Sequence, residues 1–366
     1  MSTTINLNLD RDSVVSTQKI TSGYFTGDAG QLNSDSIYTM SLADSNESYY
    51  FNIGNKHPLS SSATTQFSIA YGHVGGSGSN VEAGTIGETE AIYRQWATTV
   101  LAENEVTGGF VFNTSDGRES QIYVLVGKRA LYKDRINKKN WTIAMSGSIS
   151  QHGASGSKIL YLTDDSDTVQ ATHTVAGPRY NIVSGTDGSV AVAATTTTYG
   201  WFYPEIGTLI FAGSKLSASI PGAAASGGAA AVYDETHNNA WRGFGFTESS
   251  TANKDYQNGL RFVNCLSKNS FGSNAYMKFR SEEDQNSRSY FCRIFANQMN
   301  FSNSPTFVSG SNQELRHRSM WGNPTVYVTG IGLYDSAGTV VAIGKVSSPI
   351  KKNFSSEATI KVKLTY

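Results

Sequence analysis

The sequence predicts a mainly β fold, either a β-sandwich or an α+β arrangement of antiparallel sheets with few helices. Short segments alternating polar and apolar residues recur along the chain, bounded by Gly, Asn, Asp and Ser. Only one segment carries a clear helical period. The composition also suits strands and wet interfaces: 36 Gly, 19 Tyr and few charged residues, at 16 %.

In chain order, the N-terminal part offers strands at Ser48–Ile53 and Thr65–Tyr71, then a glycine-rich loop over residues 72–80. The helix follows, near residues 88–102. Glu88 and Glu90 open it, and acidic side chains suit a helix N-terminus. Ile92, Trp96 and Val100 recur at four-residue spacing, so Trp96 is expected to be core. Strands are predicted at Gly109–Phe112, Gln121–Val126 and Trp141–Met145. In the middle, Tyr203-Pro204-Glu205 reads as a turn between two apolar pieces, Trp201–Phe202 and Thr208–Phe211. Residues 212–231 are almost all small and read as a mobile loop or arm. The last third offers strands at Leu260–Leu266, Ala275–Arg280 and Tyr290–Ala296. A hairpin of Tyr327–Tyr334 and Thr339–Val346 comes next, then a loop through Pro349 and Lys351-Lys352, then a strand at Thr359–Leu364. This divides the chain into an N-terminal β-rich domain with one helix (1–150), a loop-rich middle (151–256) and a C-terminal antiparallel region (257–366).

Charge narrows the function classes. Lys+Arg and Asp+Glu are both 29, so the formal net charge is +0. Such a chain exerts no general pull on nucleic acid or an anionic membrane. Near-zero charge also leaves little repulsion between copies, which favours association. No segment approaches the ~20 apolar residues of a membrane-spanning helix. Residues Met1 to Asp10 lack a basic region followed by an apolar run, so no secretory signal is expected. Cys265 and Cys292 are too few for a disulfide framework and are read as buried free thiols. The chain is therefore expected to be made and kept in a reducing cytoplasm until it joins something larger.

Candidate chemistry is sparse. The six histidines show no H-E-x-x-H or H-x-H pairing, and neither a G-x-S-x-G elbow nor a Walker loop occurs. Asp164, Asp165 and Asp167 form an acidic turn over residues 164–167 that could offer oxygens to a hard cation, but the EF-hand order is absent. A strand end capped by a polar turn is the simpler reading. Lys128, Arg129, Lys133, Arg135, Lys138 and Lys139 form a basic run, read as a solvated loop or a charged contact with an acidic neighbour. Glu282-Glu283-Asp284 reads as a hairpin tip. No catalytic, cofactor-binding or metal-binding residue is expected.

Several blocks resemble a family of structural proteins of contractile-tailed bacteriophages, marine and cyanobacterial ones above all. They are Ala91-Ile-Tyr-Arg-Gln-Trp96, Ile122-Tyr-Val-Leu-Val126 with Lys128–Arg135, and Asn297–Phe307. The C-terminal blocks carry the closest likeness: Val326–Asp335, Val341–Val346, Pro349–Lys352 and Ile360–Tyr366. The resemblance implies a non-enzymatic virion component, a baseplate wedge subunit first. Its partners would be other baseplate and tail proteins and further copies of itself, with no nucleic acid and no membrane insertion. Neck or collar, fibre or receptor-binding, and polysaccharide-degrading roles stand as alternatives. Within this reading the C-terminal sheet is the rigid body, and the 72–80 and 212–231 loops reach into partners. Deleting 216–231 is then expected to leave a folded monomer.

Overall fold

A computed structural model describes residues 4–40, 50–76, 79, 87–148, 157–191, 197–220, 258–267 and 274–366. Strand makes up 45 % of the described residues and helix 15 %, and the sheets are antiparallel. No helix among the described residues is long and apolar enough to cross a membrane. The chain forms two compact units, a larger one of Ile20–Glu283 and a smaller one that joins Met1–Lys19 to Asp284–Tyr366. Residue 150, read as a boundary, falls between Thr142–Ser148 and Ser157–Asp164, which pair directly in one sheet.

The larger unit is built on one curled, half-barrel-like sheet of 13 strands. Its middle runs Gly177–Thr186, Gly200–Tyr203, Thr208–Ala212, Gln121–Gly127 and Thr65–His73. Gln121–Gly127 is apolar at nearly every position because both of its faces are covered. Tyr123 and Leu125 sit opposite Tyr71 and Ile69 on one side and Phe211 and Leu209 on the other. They belong to the main core, whereas Ile122 and Val124 join a second core beneath a helix.

That helix is Glu88–Val100. Its buried stripe is Thr89, Tyr93, Ala97 and Val100, so Trp96 is only partly covered and the expected stripe is offset. The reason is close approach to the neighbouring strand. A Cβ on Gly72 would lie 2.9 Å from the Tyr93 backbone nitrogen, so the helix lies against the strand where no side chain intervenes. The Tyr93 hydroxyl donates to the Glu119 carbonyl (2.8 Å) and accepts from the Phe110 amide (3.1 Å). The Phe110 amide is thereby taken, and the expected strand at 109–112 is an irregular segment whose Phe110 and Phe112 pack near Trp201.

Four further expectations are corrected. Leu260–Leu266 lies mostly in a helix, Asn258–Asn264; a short buried apolar run has no period that separates helix from strand. Residues 213–219 of the small-residue stretch form a helix, Gly213–Ser219, with Leu216 and Ile220 in the main core. Deleting 216–231 would remove those two core residues; residues 221–231 lie outside the described part, as do 77, 78 and 80 of the other loop. Glu282-Glu283-Asp284 lies inside a 15-residue strand, Arg280–Ile294. Pro349 and Lys351-Lys352 lie inside another, Val340–Lys352, and Lys352 is fully buried.

The smaller unit contains the latter part of Arg280–Ile294, flanked in its sheet by Ser13–Gly23 and Ala358–Thr365. Beside it stands a separate two-stranded hairpin, Val326–Tyr334 with Val340–Lys352. Lys352 anchors this hairpin: its ammonium donates to the carbonyls of Ala296 (3.1 Å) and Asn353 (2.9 Å) and to Asn300 Oδ1 (2.7 Å). Burial pulls its pKa below the ordinary value, with Glu357 opposing the shift.

Candidate interaction surface

The charged clusters read from the sequence are spent inside the larger unit. Asp164 closes the strand Ser157–Asp164 and is buried; its oxygens accept the Lys139 amide at 2.9 and 3.2 Å. Asp165 accepts the Asn181 amide (3.0 Å) and its side-chain nitrogen (2.8 Å), and Asp167 pairs with the Lys139 ammonium (2.8 Å). The three carboxylates thus face separate donors, which is what a capped strand end requires. Among the described residues no group of three or more His, Cys, Asp or Glu converges.

Burial raises the pKa of both Asp164 and Asp165 above 3.8. The sign follows directly. A carboxyl whose folded pKa is raised favours folding below its unfolded pKa and loses that contribution as pH rises through the folded pKa. Wild-type stability relative to Asp164→Asn is therefore expected to be higher below pH 3.8 than at neutral pH. Denaturation midpoints of the two proteins at both pH values measure this; a difference growing in favour of the wild type at neutral pH would reverse the assignment.

The basic run is similarly occupied. Arg129 lies 4.7 Å over the Tyr132 ring and donates to the Tyr132 carbonyl. Arg135 binds the buried Glu282 at 2.8 Å, which also takes the Asn137 amide nitrogen. Lys138 donates to the Tyr180 hydroxyl at 2.9 Å. These contacts tie Arg129, Arg135 and Lys138 to neighbouring groups, while Lys128 and Lys133 are exposed. A cleft of about 300 Å³ lies between Phe112, Asp116, Arg118 and Glu119 on one side and Ser214 and Lys215 on the other. Its charges largely answer one another: Lys215 pairs with Asp116 at 3.0 Å, and Glu119 accepts from the Ser214 hydroxyl.

The smaller unit presents a different surface. Its buried hydrophobic side chains among the described residues are Ile294, Phe307, Val308 and Leu333. Among the described residues, thirteen large apolar side chains are exposed there, against six in the larger unit. The strand Ser13–Gly23 is exposed over almost its whole length, with Val14 and Val15 each more than half accessible. On the hairpin, Tyr327, Tyr334, Val341 and Ile343 are exposed, Ile343 at 73 %. The pairing is irregular between Val328 and Gly330, and the exposed phase changes there. Gly330, Gly332 and Tyr334 then face solvent while Ile331 and Leu333 turn inward. Gly332 pairs with Ile343 and Gly330 with Lys345, and the Tyr334 ring lies over Gly332, within 3.0 Å of where a Cβ would stand.

The sequence reading placed partner contacts on the loops and rigidity in the C-terminal sheet. Five of the exposed apolar side chains, Tyr327, Tyr334, Val340, Val341 and Ile343, lie on the C-terminal strands themselves. A signal was present: Val340, Val341 and Ile343 put apolar residues on both phases of one strand, which asks for cover on both faces. The thiols divide. Cys265 is buried and Cys292 is partly accessible, with burial raising the pKa of Cys292.

Comparison with known proteins found no matching family model, no matching curated protein and no matching solved structure.

Proposed function

We propose that this chain is a structural subunit of a tailed-phage virion, in the tail or baseplate, a baseplate wedge position first. It holds neighbouring proteins through protein–protein interfaces. The observation that carries this reading is the contrast between the two units. The larger has two packed cores and spends its cluster charges internally. Among the described residues the smaller exposes thirteen large apolar side chains, seven of them on strands, and buries four. Uncovered apolar side chains on the hairpin strands are what an association site would use.

The resemblance of the C-terminal blocks to contractile-tail proteins falls on the same strands, Val326–Tyr334, Val340–Lys352 and Ala358–Thr365. A subunit of this design joins its neighbours through exposed strand faces. Quantitative mass spectrometry of purified particles is the test. The chain is expected at a fixed copy number per virion, together with tail proteins; its absence from washed particles would refute the proposal.

A further inference from the structure

The cleft between residues 112–120 and 212–215 has a volume of about 300 Å³, at the small end of the range for ligand pockets. Most of its charge is committed. The Lys215 ammonium pairs with Asp116. The buried Glu119 carboxylate accepts the Gln121 amide (3.2 Å), the Ser214 amide (3.4 Å) and the Ser214 hydroxyl. Arg118 is the exception. It lines the cleft, yet its guanidinium makes no hydrogen bond and no ion pair among the described residues. Its aromatic neighbour is the Tyr93 ring, whose centre lies 5.8 Å from the guanidinium carbon.

Two features hold that guanidinium in place before anything binds. Tyr93 is itself fixed by its hydrogen bonds to the Glu119 carbonyl and the Phe110 amide. Gly109, at φ +71°, leaves bare the space that Arg118 fills: a Cβ there would lie 2.6 Å from Arg118 Nε. The Arg118 donors are therefore positioned and unused by the protein, and binding to them costs little side-chain ordering. The lining then selects the ligand. A planar guanidinium matches a carboxylate or a phosphate through two parallel hydrogen bonds. Asp116 and Glu119 share the cleft, so a phosphate dianion meets more repulsion there than a single carboxylate does. Asp116 is exposed and accepts from Lys215 and the Ser115 hydroxyl, which leaves it lone pairs for further donors. Ser120 adds a hydroxyl, and Phe112 an apolar wall.

We propose that this cleft binds an acidic sugar, a single ring that carries one carboxylate and several hydroxyls. Its carboxylate takes the Arg118 donors, its hydroxyls face Asp116 and Ser120, and the C–H face of the ring lies against Phe112. A neutral sugar leaves Arg118 unused. A simple aliphatic acid brings no donor for Asp116. The site lies wholly within the larger unit and does not depend on the virion role.

The test uses the full chain with nitrogen-15-labelled arginine, titrated with sodium glucuronate and followed by nuclear magnetic resonance at mildly acidic pH. One Nε–H resonance, the one missing from the spectrum of Arg118→Gln, is expected to shift with a midpoint of about 1 mM, the affinity that a few hydrogen bonds in an open cleft provide. Glucose, butyrate and inorganic phosphate are each expected to bind at least about tenfold more weakly. In calorimetry, Arg118→Gln is expected to weaken glucuronate binding at least about tenfold, whereas Arg94→Gln, at an exposed position of the helix Glu88–Val100, leaves it unchanged. Arg118 is exposed, so its variant should keep the near-UV signal of the buried Trp141 and Trp201, which shows that the larger unit is folded. No shift at about ten times that midpoint overturns the proposal, as does equal movement of many arginine resonances or binding that survives Arg118→Gln. Glucose, butyrate or phosphate binding as tightly as glucuronate overturns the assignment to an acidic sugar.

Discussion

Replacing Trp141 with alanine is expected to cost the larger unit about 4 kcal/mol, within the range for emptying a buried aromatic site. The indole is fully buried at the meeting point of several chain segments. It stacks on Phe279 (ring centroids 5.4 Å apart, 3° between planes) and meets Phe202 edge-on at 5.2 Å. Phe279 packs in turn on Phe67 at 4.9 Å, and Phe67 stacks on Tyr24 at 4.7 Å. Truncation opens a cavity in this cluster and removes two ring pairs, each contributing about 0.5–1.5 kcal/mol beyond its buried area. The indole nitrogen has no hydrogen-bond partner among the described residues, so Trp141→Phe loses volume and no hydrogen bond. The phenylalanine variant is therefore expected to lose clearly less than the alanine variant. Urea denaturation followed by near-UV circular dichroism measures both. Equal losses would mean that the ring stack contributes little.

Lys352→Met is expected to destabilise the smaller unit by about 3 kcal/mol, the scale for removing one partner from a buried charged hydrogen-bond set. The ammonium of Lys352 has three donors and meets three neutral acceptors, so its hydrogen-bonding capacity is matched. Methionine keeps the length and apolar character of the stem but leaves the Asn300 Oδ1 without this donor, in a residue that is itself buried. The effect should be local, since every acceptor belongs to residues 296–353. Hydrogen exchange is the suitable measurement, because a chain of two units has no single unfolding free energy. Protection is expected to fall in 284–366 and to hold in the larger unit. Unchanged exchange throughout would show that the lysine is an accommodated charge rather than an anchor.

Much of the strand content was legible because period-two alternation reports a strand wherever one face is buried. Thr65–His73 and Val326–Tyr334 were readable on that basis, and Gln121–Gly127 as a continuous apolar run. Alternation fails where both faces are covered or where the run is short, and Asn258–Asn264 was misread for that reason. Glu282 misled in another way. Three consecutive acids look like a solvent-exposed tip, and the distant Arg135 and Asn137 make a buried strand position tolerable for one of them. Lys352 followed the same rule, with its acceptors at Ala296 and Asn300.

The amino-acid order by itself determined the β class, the helix that begins at Glu88, the acidic strand cap at Asp164 and the C-terminal hairpin, since each depends on neighbours within a few residues. Only the tertiary structure decided that Glu282 and Lys352 are buried and that the first 19 residues join the last 83 in one unit. It alone also showed that the hairpin's apolar side chains lie uncovered. Burial is a property of what lies opposite a residue in space, and for Glu282 and Lys352 the partners are far along the chain.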